Sequence, residues 1–167
     1  PLFISGSIPN YVDAFFEACS GFSTTGATIL TEIESLPKSI LFWRSFMHWI
    51  GGMGILSFMI AVLPKGEGHT MYVMKAEVPG PKAGKVVSKI QNSARILYLI
   101  YIFLTVLEAF VLFAFTRMRL YDAVTTALST AGTGGFSVLN NSILGYHSPL
   151  IEWIIIVFMF LFGTNFN

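Results

Sequence analysis

Three apolar stretches punctuate the chain, separated by polar and small-residue segments. Residues 96–115 carry a single charge, Glu108; at 1.5 Å rise per residue a helix of about 20 residues covers about 30 Å, the hydrocarbon thickness of a bilayer. Residues 40–63 form a longer run, with Arg44 and His48 near its start and Pro64 just beyond it. Residues 150–162 are apolar apart from Glu152 and Trp153, and the run is still going as the chain approaches Asn167. The pattern predicts two complete membrane spans and one incomplete one. Between the first two, residues 65–95 hold Lys65, Lys75, Lys82, Lys85, Lys89 and Arg95 against only Glu67 and Glu77. By the positive-inside rule this segment is cytoplasmic. Pro79-Gly80-Pro81 and Gly84 break regular structure there, residues 86–97 suit an interfacial helix feeding the next span, and the lysines favour anionic lipid over a cytoplasmic partner.

An 18-residue segment occurs twice among these spans. Residues 13–30 align without gaps on residues 122–139 and match at seven positions: Asp13/Asp122, Ala14/Ala123, Ala18/Ala127, Ser20/Ser129, Thr24/Thr133, Gly26/Gly135 and Leu30/Leu139. Chance agreement at roughly 7% per common residue would give one or two. Each copy is too short to cross a bilayer yet lies among segments that can, which is how re-entrant loops lining membrane pores are built. The order is re-entrant segment, span, cytoplasmic loop, span, re-entrant segment, span. Three units follow. Residues 1–63 are a first repeat lacking its first span, 64–95 the cytoplasmic basic loop, and 96–167 a second repeat with a truncated last span. Both copies then enter from the outer side. Asp13, Glu17, Glu32 and Glu34 there, with Lys38 the nearby base, read as an acidic vestibule that concentrates cations. The alternative for each carboxylate is a solvated polar rim.

Composition narrows the class. Hydrophobic residues make up 54% and charged residues 11%, with a mean hydropathy of +0.69, against roughly 25% charge in soluble domains. This is an integral membrane protein or part of one, and Pro1 together with the final apolar run reads as a piece of a longer parent. A net charge of +1 gives no reason to expect nucleic acid. The lone Cys19 excludes an intrachain disulfide, and in an apolar stretch it is expected to be an inert packing residue.

The repeated segment has its own chemistry. Each copy opens with an Asp after a Tyr-containing lead-in, followed by about nine residues of helical character. Asp suits an N-cap and the positive end of the helix dipole, so the carbonyl end points inward and favours a cation. Small residues follow abruptly, at Ser23-Thr24-Thr25-Gly26-Ala27-Thr28 and Gly132-Thr133-Gly134-Gly135-Phe136-Ser137. An ion crossing a bilayer must exchange its water shell for protein oxygens, and backbone carbonyls supply these without a trapping charge. Gly allows the torsions that a row of inward carbonyls needs, and Thr adds a hydroxyl. The plain alternative is a helix-breaking turn or a small-residue packing surface. Two copies, each preceded by a short helix and followed by a span, favour the pore.

The segments Ser20-Gly-Phe-Ser-Thr-Thr-Gly-Ala-Thr28, Trp43-Arg-Ser-Phe-Met-His-Trp-Ile-Gly-Gly-Met-Gly54, Glu77-Val-Pro-Gly-Pro81 and Ala131-Gly-Thr-Gly-Gly-Phe-Ser137 together resemble the Trk/Ktr/HKT superfamily of potassium transporters, in particular its bacterial TrkH and TrkG branch. The resemblance covers nearly the whole chain. It implies an all-α membrane fold of helix, pore loop and helix units, four of them around one K+ channel-like pore, of which this chain holds part of two. It implies potassium uptake in the bacterial inner membrane, with K+ as the transported ion and no cofactor in this chain. It also implies a homodimer in the lipid bilayer and a cytoplasmic nucleotide-binding regulatory subunit of the TrkA kind. Carried onto these residues, Thr24, Thr25 and Gly26 become filter positions of the first repeat and Thr133, Gly134 and Gly135 those of the second. The gating loop and basic residue of the family belong to repeats outside this chain.

Individual residues have competing readings. Glu108, inside a span, is expected to face other helices and pair structurally, since a lipid-facing carboxylate costs about 2.5–3.5 kcal/mol. Arg44 and His48 share a helix face; the default for Arg44 is to snorkel to the interface, and the sharper alternative is to anchor the loop bearing Gly26. His48, His69 and His147 are separated by the topology and make no metal site. Gly51, Gly52 and Gly54 read as close helix packing, and Asn165 and Asn167 as polar groups beneath the loops. Two rival functions remain. An intramembrane hydrolase is suggested by Gly21-Phe-Ser23 and Gly135-Phe-Ser137, but no base is placed beside either Ser. An H+- or Na+-coupled symporter calls for acidic residues at the site, and the small-residue stretches have none.

Overall fold

The computed structural model describes residues 1–54 and 83–164, residues 83–94 as backbone alone. The later part of the predicted 40–63 span, most of the basic loop with His69, Glu77 and Pro79-Gly80-Pro81, and Asn165 and Asn167 lie outside the described residues. The elements are α1 (Tyr11–Phe22), α2 (Lys38–Gly52), α3 (Ala83–Phe115), α4 (Leu120–Ala131), a 3-10 turn (Ser142–Tyr146) and α5 (Pro149–Gly163). Among the described residues there is no strand.

One stretch of α3, Arg95–Phe115, is long and apolar enough to cross a membrane, with a mean hydropathy of 2.5. No Gly or Pro interrupts residues 85–115, so the helix propagates as one element of 33 residues, and the interfacial helix expected at 86–97 is not separate from the span. Leu99, Phe103, Val106, Phe110 and Phe113 are exposed along one stripe, while Tyr101, Thr105, Glu108 and Leu112 are buried along another. That division gives one apolar face to lipid and one to protein. The 15-residue α5 repeats it, exposing Trp153, Val157 and Phe160 and burying Ile151, Ile155 and Phe158. Its helix ends at Gly163, where Thr164 turns to extended backbone, in line with the apolar run at 150–162.

The two copies of the repeated segment form α1 and α4, 12 residues each, about 18 Å long and too short to span. Neither Asp is an N-cap. Asn10 caps α1, its side chain accepting from the Val12 amide at 3.0 Å, while Arg119 precedes α4. Asp13 and Asp122 sit instead in the first turns, still at the positive end of each dipole.

The predicted continuous run from residue 40 breaks at the end of α2. Glycine is a poor helix former, and Gly54, at φ +72°, donates to the Gly51 carbonyl at 2.8 Å. Gly51 and Gly52 are contact points, as the sequence suggested: a Cβ on Gly51 would overlap the Phe22 carbonyl, and one on Gly52 would overlap the Tyr101 hydroxyl and stand 2.8 Å from the Gly132 Cα. The helix α2 thus packs against α1 on one side and α4 on the other, and α4 in turn contacts α3 and α5. Small side chains on α4 permit this: Ala123, Ala127, Ala131 and Ser129 are buried. The buried Thr125 and Thr130 hydroxyls are satisfied by their own helix, donating to Tyr121 O and Thr126 O at 2.9 Å each, as hydroxyls inside helices do. A cluster of Ile33, Leu41 and Val138 joins the two halves.

Candidate functional site

Both short helices end in the same way. At the end of α1, Thr24 adopts φ +56° and donates its N–H to Gly21 O at 3.1 Å, while Thr25 donates to Ser20 O at 3.0 Å. This is the Schellman closure, in which the left-handed position is usually glycine. At the end of α4, Thr133 adopts φ +52° and donates to Thr130 O at 2.8 Å. Two residues on, Gly26 has φ +74° and Gly135 φ +88°. Left-handed backbone is rare for a β-branched residue, yet it recurs at the positions the repeat alignment equates, Thr24 with Thr133 and Gly26 with Gly135.

Among the described residues, Thr25 and Gly134 between them have negative φ. Left-handed torsions thus alternate with negative ones in both loops. Among the described residues no hydrogen bond reaches the carbonyls of Thr24, Thr25 and Gly26, or those of Thr133, Gly134 and Gly135. Carbonyls without a protein partner remain available to water or to a cation. The rows are adjacent, because a Cβ on Gly26 would overlap the Gly134 carbonyl oxygen. Thr25, Thr133 and Gly135 are exposed, and Thr24, Gly26 and Gly134 half-buried. Thr24 and Thr133 both also line a cavity of about 340 Å³, shared with Gly51, Gly132, Tyr101 and Phe162.

The loops are held from behind by α2. Arg44 is 1% exposed, so it does not snorkel to the interface; its partner Glu17 lies 27 residues earlier on α1, beyond the reach of spacing rules. Arg44 Nε meets Glu17 Oε2 at 3.2 Å, and Nη2 donates to Thr28 Oγ1 at 3.1 Å. Glu17 Oε1 in turn accepts from the Thr28 hydroxyl and from the Ile29 N–H at 2.9 Å. Ser20 Oγ donates to Ala27 O at 2.6 Å. One turn further on, the fully buried His48 places Nδ1 3.2 Å from Ser129 Oγ on α4. Its ring lies 4.1 Å from that of Phe136, and a Cβ on Gly134 would overlap its Nε2.

Other acidic and nucleophilic positions depart from expectation. Glu17 is fully buried and belongs to no vestibule. Glu32 and Glu34 are exposed but accept from Asn140 Nδ2 at 3.2 Å and Asn140 N at 3.1 Å, and Asn140 Oδ1 accepts from Ile33 N at 2.6 Å. They tie the two loops together. Glu108 faces helices, as expected, yet neither carboxylate oxygen has a hydrogen-bond partner among the described residues. Cys19 is exposed on α1 rather than packed. Ser23 Oγ bonds Thr25 Oγ1 at 2.8 Å, and Ser137 Oγ accepts from Leu139 N at 3.1 Å, so both hydroxyls serve loop structure. Outside the membrane-spanning helices, burial pushes the Tyr146 phenol up to about 12.

The family model for TrkH, described as a cation transport protein, matches residues 1–167. The chain belongs to the TrkH family. The Trk system potassium uptake protein TrkH of Salmonella typhimurium is 42% identical over 168 residues, covering 99% of this chain and 35% of that protein. The Trk system potassium uptake protein TrkG of Escherichia coli is 34% identical over 169 residues, 100% of this chain and 35% of that one. The crystal structure of the potassium transporter TrkH from Vibrio parahaemolyticus superposes with a TM-score of 0.71 at 36% identity, covering 94% of this chain and 30% of that one. The chain therefore spans about a third of the length of the relatives it matches. For a TrkH-family chain the all-α membrane fold follows.

Proposed function

We propose that this chain supplies two adjacent filter loops of a potassium-uptake pore in the bacterial inner membrane. Thr24, Thr25 and Gly26 form one set of K+-coordinating positions, and Thr133, Gly134 and Gly135 the next. The observation that carries the reading is the recurrence of the same left-handed backbone at Thr24 and Gly26 and at Thr133 and Gly135, with the carbonyls of both stretches accepting no hydrogen bond among the described residues. Carbonyl dipoles can replace the hydration shell of a weakly held monovalent cation without binding it too tightly to leave. No carboxylate stands within either row, which favours a conducting filter over an acidic coupling site. The repeats occupy residues 1–63 and 96–167, joined by the basic segment 64–95 on the cytoplasmic face, and both loops enter from outside. The complete protein works as a homodimer with a cytoplasmic nucleotide-binding subunit, as the family resemblance implies.

The test is cation flux through the complete parent transporter in liposomes with Gly26→Val. The K+ over Na+ preference is expected to fall by about tenfold, the equivalent of ~1.4 kcal/mol. An unchanged preference in a folded variant rejects the filter assignment.

A further inference from the structure

We propose that Arg44 is a specificity-determining positioning residue that registers the two loops against each other; this rests on the filter reading above. The guanidinium has two separate uses. Its edge holds the first loop through Glu17 and Thr28. Its Cζ lies 4.2 Å from the centroid of the Phe136 ring, in the second loop immediately after Gly135. One buried side chain on α2 therefore touches Thr28, two residues after Gly26, and Phe136, the residue that follows Gly135.

The first loop has little freedom to move independently of this group. Ser20 fixes Ala27, while Glu17 fixes Thr28 and Ile29, so the segment after Gly26 is pinned by α1 directly and by α2 through the ion pair. The second loop is pinned through Phe136, which is 4% exposed and in contact with both Arg44 and His48. Since Gly26 abuts the Gly134 carbonyl, a displacement at either anchor passes into the other row of oxygens. Selectivity between cations of similar charge depends on where those oxygens stand.

The chemistry at position 44 is specific to arginine. A planar guanidinium can donate sideways to a carboxylate and a hydroxyl while laying its face on an aromatic ring, whereas the lysine ammonium keeps the charge but has neither fork nor face. Charge alone is thus insufficient for the bracing, although it suffices to neutralise Glu17.

The experiment uses the complete transporter in liposomes, with Arg44→Lys, Phe136→Leu, the double variant and Gly26→Val, reading K+ and Na+ uptake separately. Arg44→Lys and Phe136→Leu are each expected to lower the K+ over Na+ preference by roughly three- to tenfold, and the double variant by no more than the worse single. Equal loss of K+ and Na+ uptake would mean a purely structural role and overturn the proposal, as would fully additive effects. If Gly26→Val alters selectivity and Arg44→Lys does not, the positioning role fails and the filter stands. If Gly26→Val is without effect, the filter reading itself fails. Should Arg44→Lys not fold, Phe136→Leu, which keeps a smaller apolar side chain but removes the ring face, decides alone: unchanged selectivity there overturns the proposal.

Discussion

The glycines of the two loops answer different demands, and this gives the sharpest residue-scale prediction. Gly26 needs both a left-handed torsion and the absence of a side chain, since a Cβ would overlap Gly134 O. Gly135 needs the torsion, but a Cβ there would meet nothing within 4 Å. Alanine at Gly135 is therefore expected to cost about 1–2 kcal/mol, the price of left-handed backbone alone, while alanine at Gly26 adds an overpacking penalty of about 1–3 kcal/mol. Thermal unfolding of the two variants in the complete protein checks the order; equal losses would contradict the close approach of the loops. The repeat put residues 24–26 in register with 133–135, while singling out those six as filter positions takes the family resemblance rather than the spacing. Their roles were less legible. Torsional freedom was assigned to glycine, yet Thr24 and Thr133 also take left-handed backbone, imposed by closure of the helix ends before them and invisible to composition.

At the scale of elements, α2 is the strut on which the site is built. Arg44, His48, Gly51 and Gly52 fall on its loop-facing side, and the glycines let α1, α3 and α4 approach. Gly52→Leu would drive a side chain into the Tyr101 hydroxyl and the Gly132 backbone and is expected to destabilise by about 3 kcal/mol or more, combining the limits of overpacking with displaced backbone. Its yield and melting temperature should fall well below those of an alanine substitution at the exposed Phe42 on the same helix. Comparable values would mean that α2 and α4 do not touch there. Unbroken apolar runs located the membrane-length part of α3 (Arg95–Phe115) and α5 within a residue or two, because run length needs only local information, but not the continuation of α3 back to Ala83. The snorkelling expected of Arg44 failed for the opposite reason, since its counter-ion comes from a different helix. On α3, Glu108→Gln should leave the melting temperature unchanged or raise it, because the native carboxyl is buried beside the Thr130 hydroxyl, with no hydrogen bond of good geometry among the described residues, and an uncompensated buried charge is costly. A drop of several degrees would reveal a charged partner in the full assembly.

For the whole molecule, internal repetition connects sequence to function. Two short helices enter the fold, end in matching left-handed closures, and present carbonyl rows side by side, braced by one intervening helix. The outer lashings from Asn140 to Ile33, Glu32 and Glu34 and the Ile33, Leu41 and Val138 cluster hold the halves in this arrangement. The acidic residues on that side were legible as a group, but their use as ties between loops was not, because it depends on Asn140, more than 100 residues away in the chain. The central claim is that these rows coordinate the permeating ion. Its most direct test is anomalous diffraction from crystals of the complete transporter soaked in Rb+ or Tl+. Peaks beside the carbonyls of residues 24–26 and 133–135 are expected, and they should strengthen when Na+ replaces K+ as the competing ion during soaking, because a K+-preferring row holds Na+ weakly. Ordered Rb+ or Tl+ elsewhere along the pore, with none at these two rows, would contradict the account.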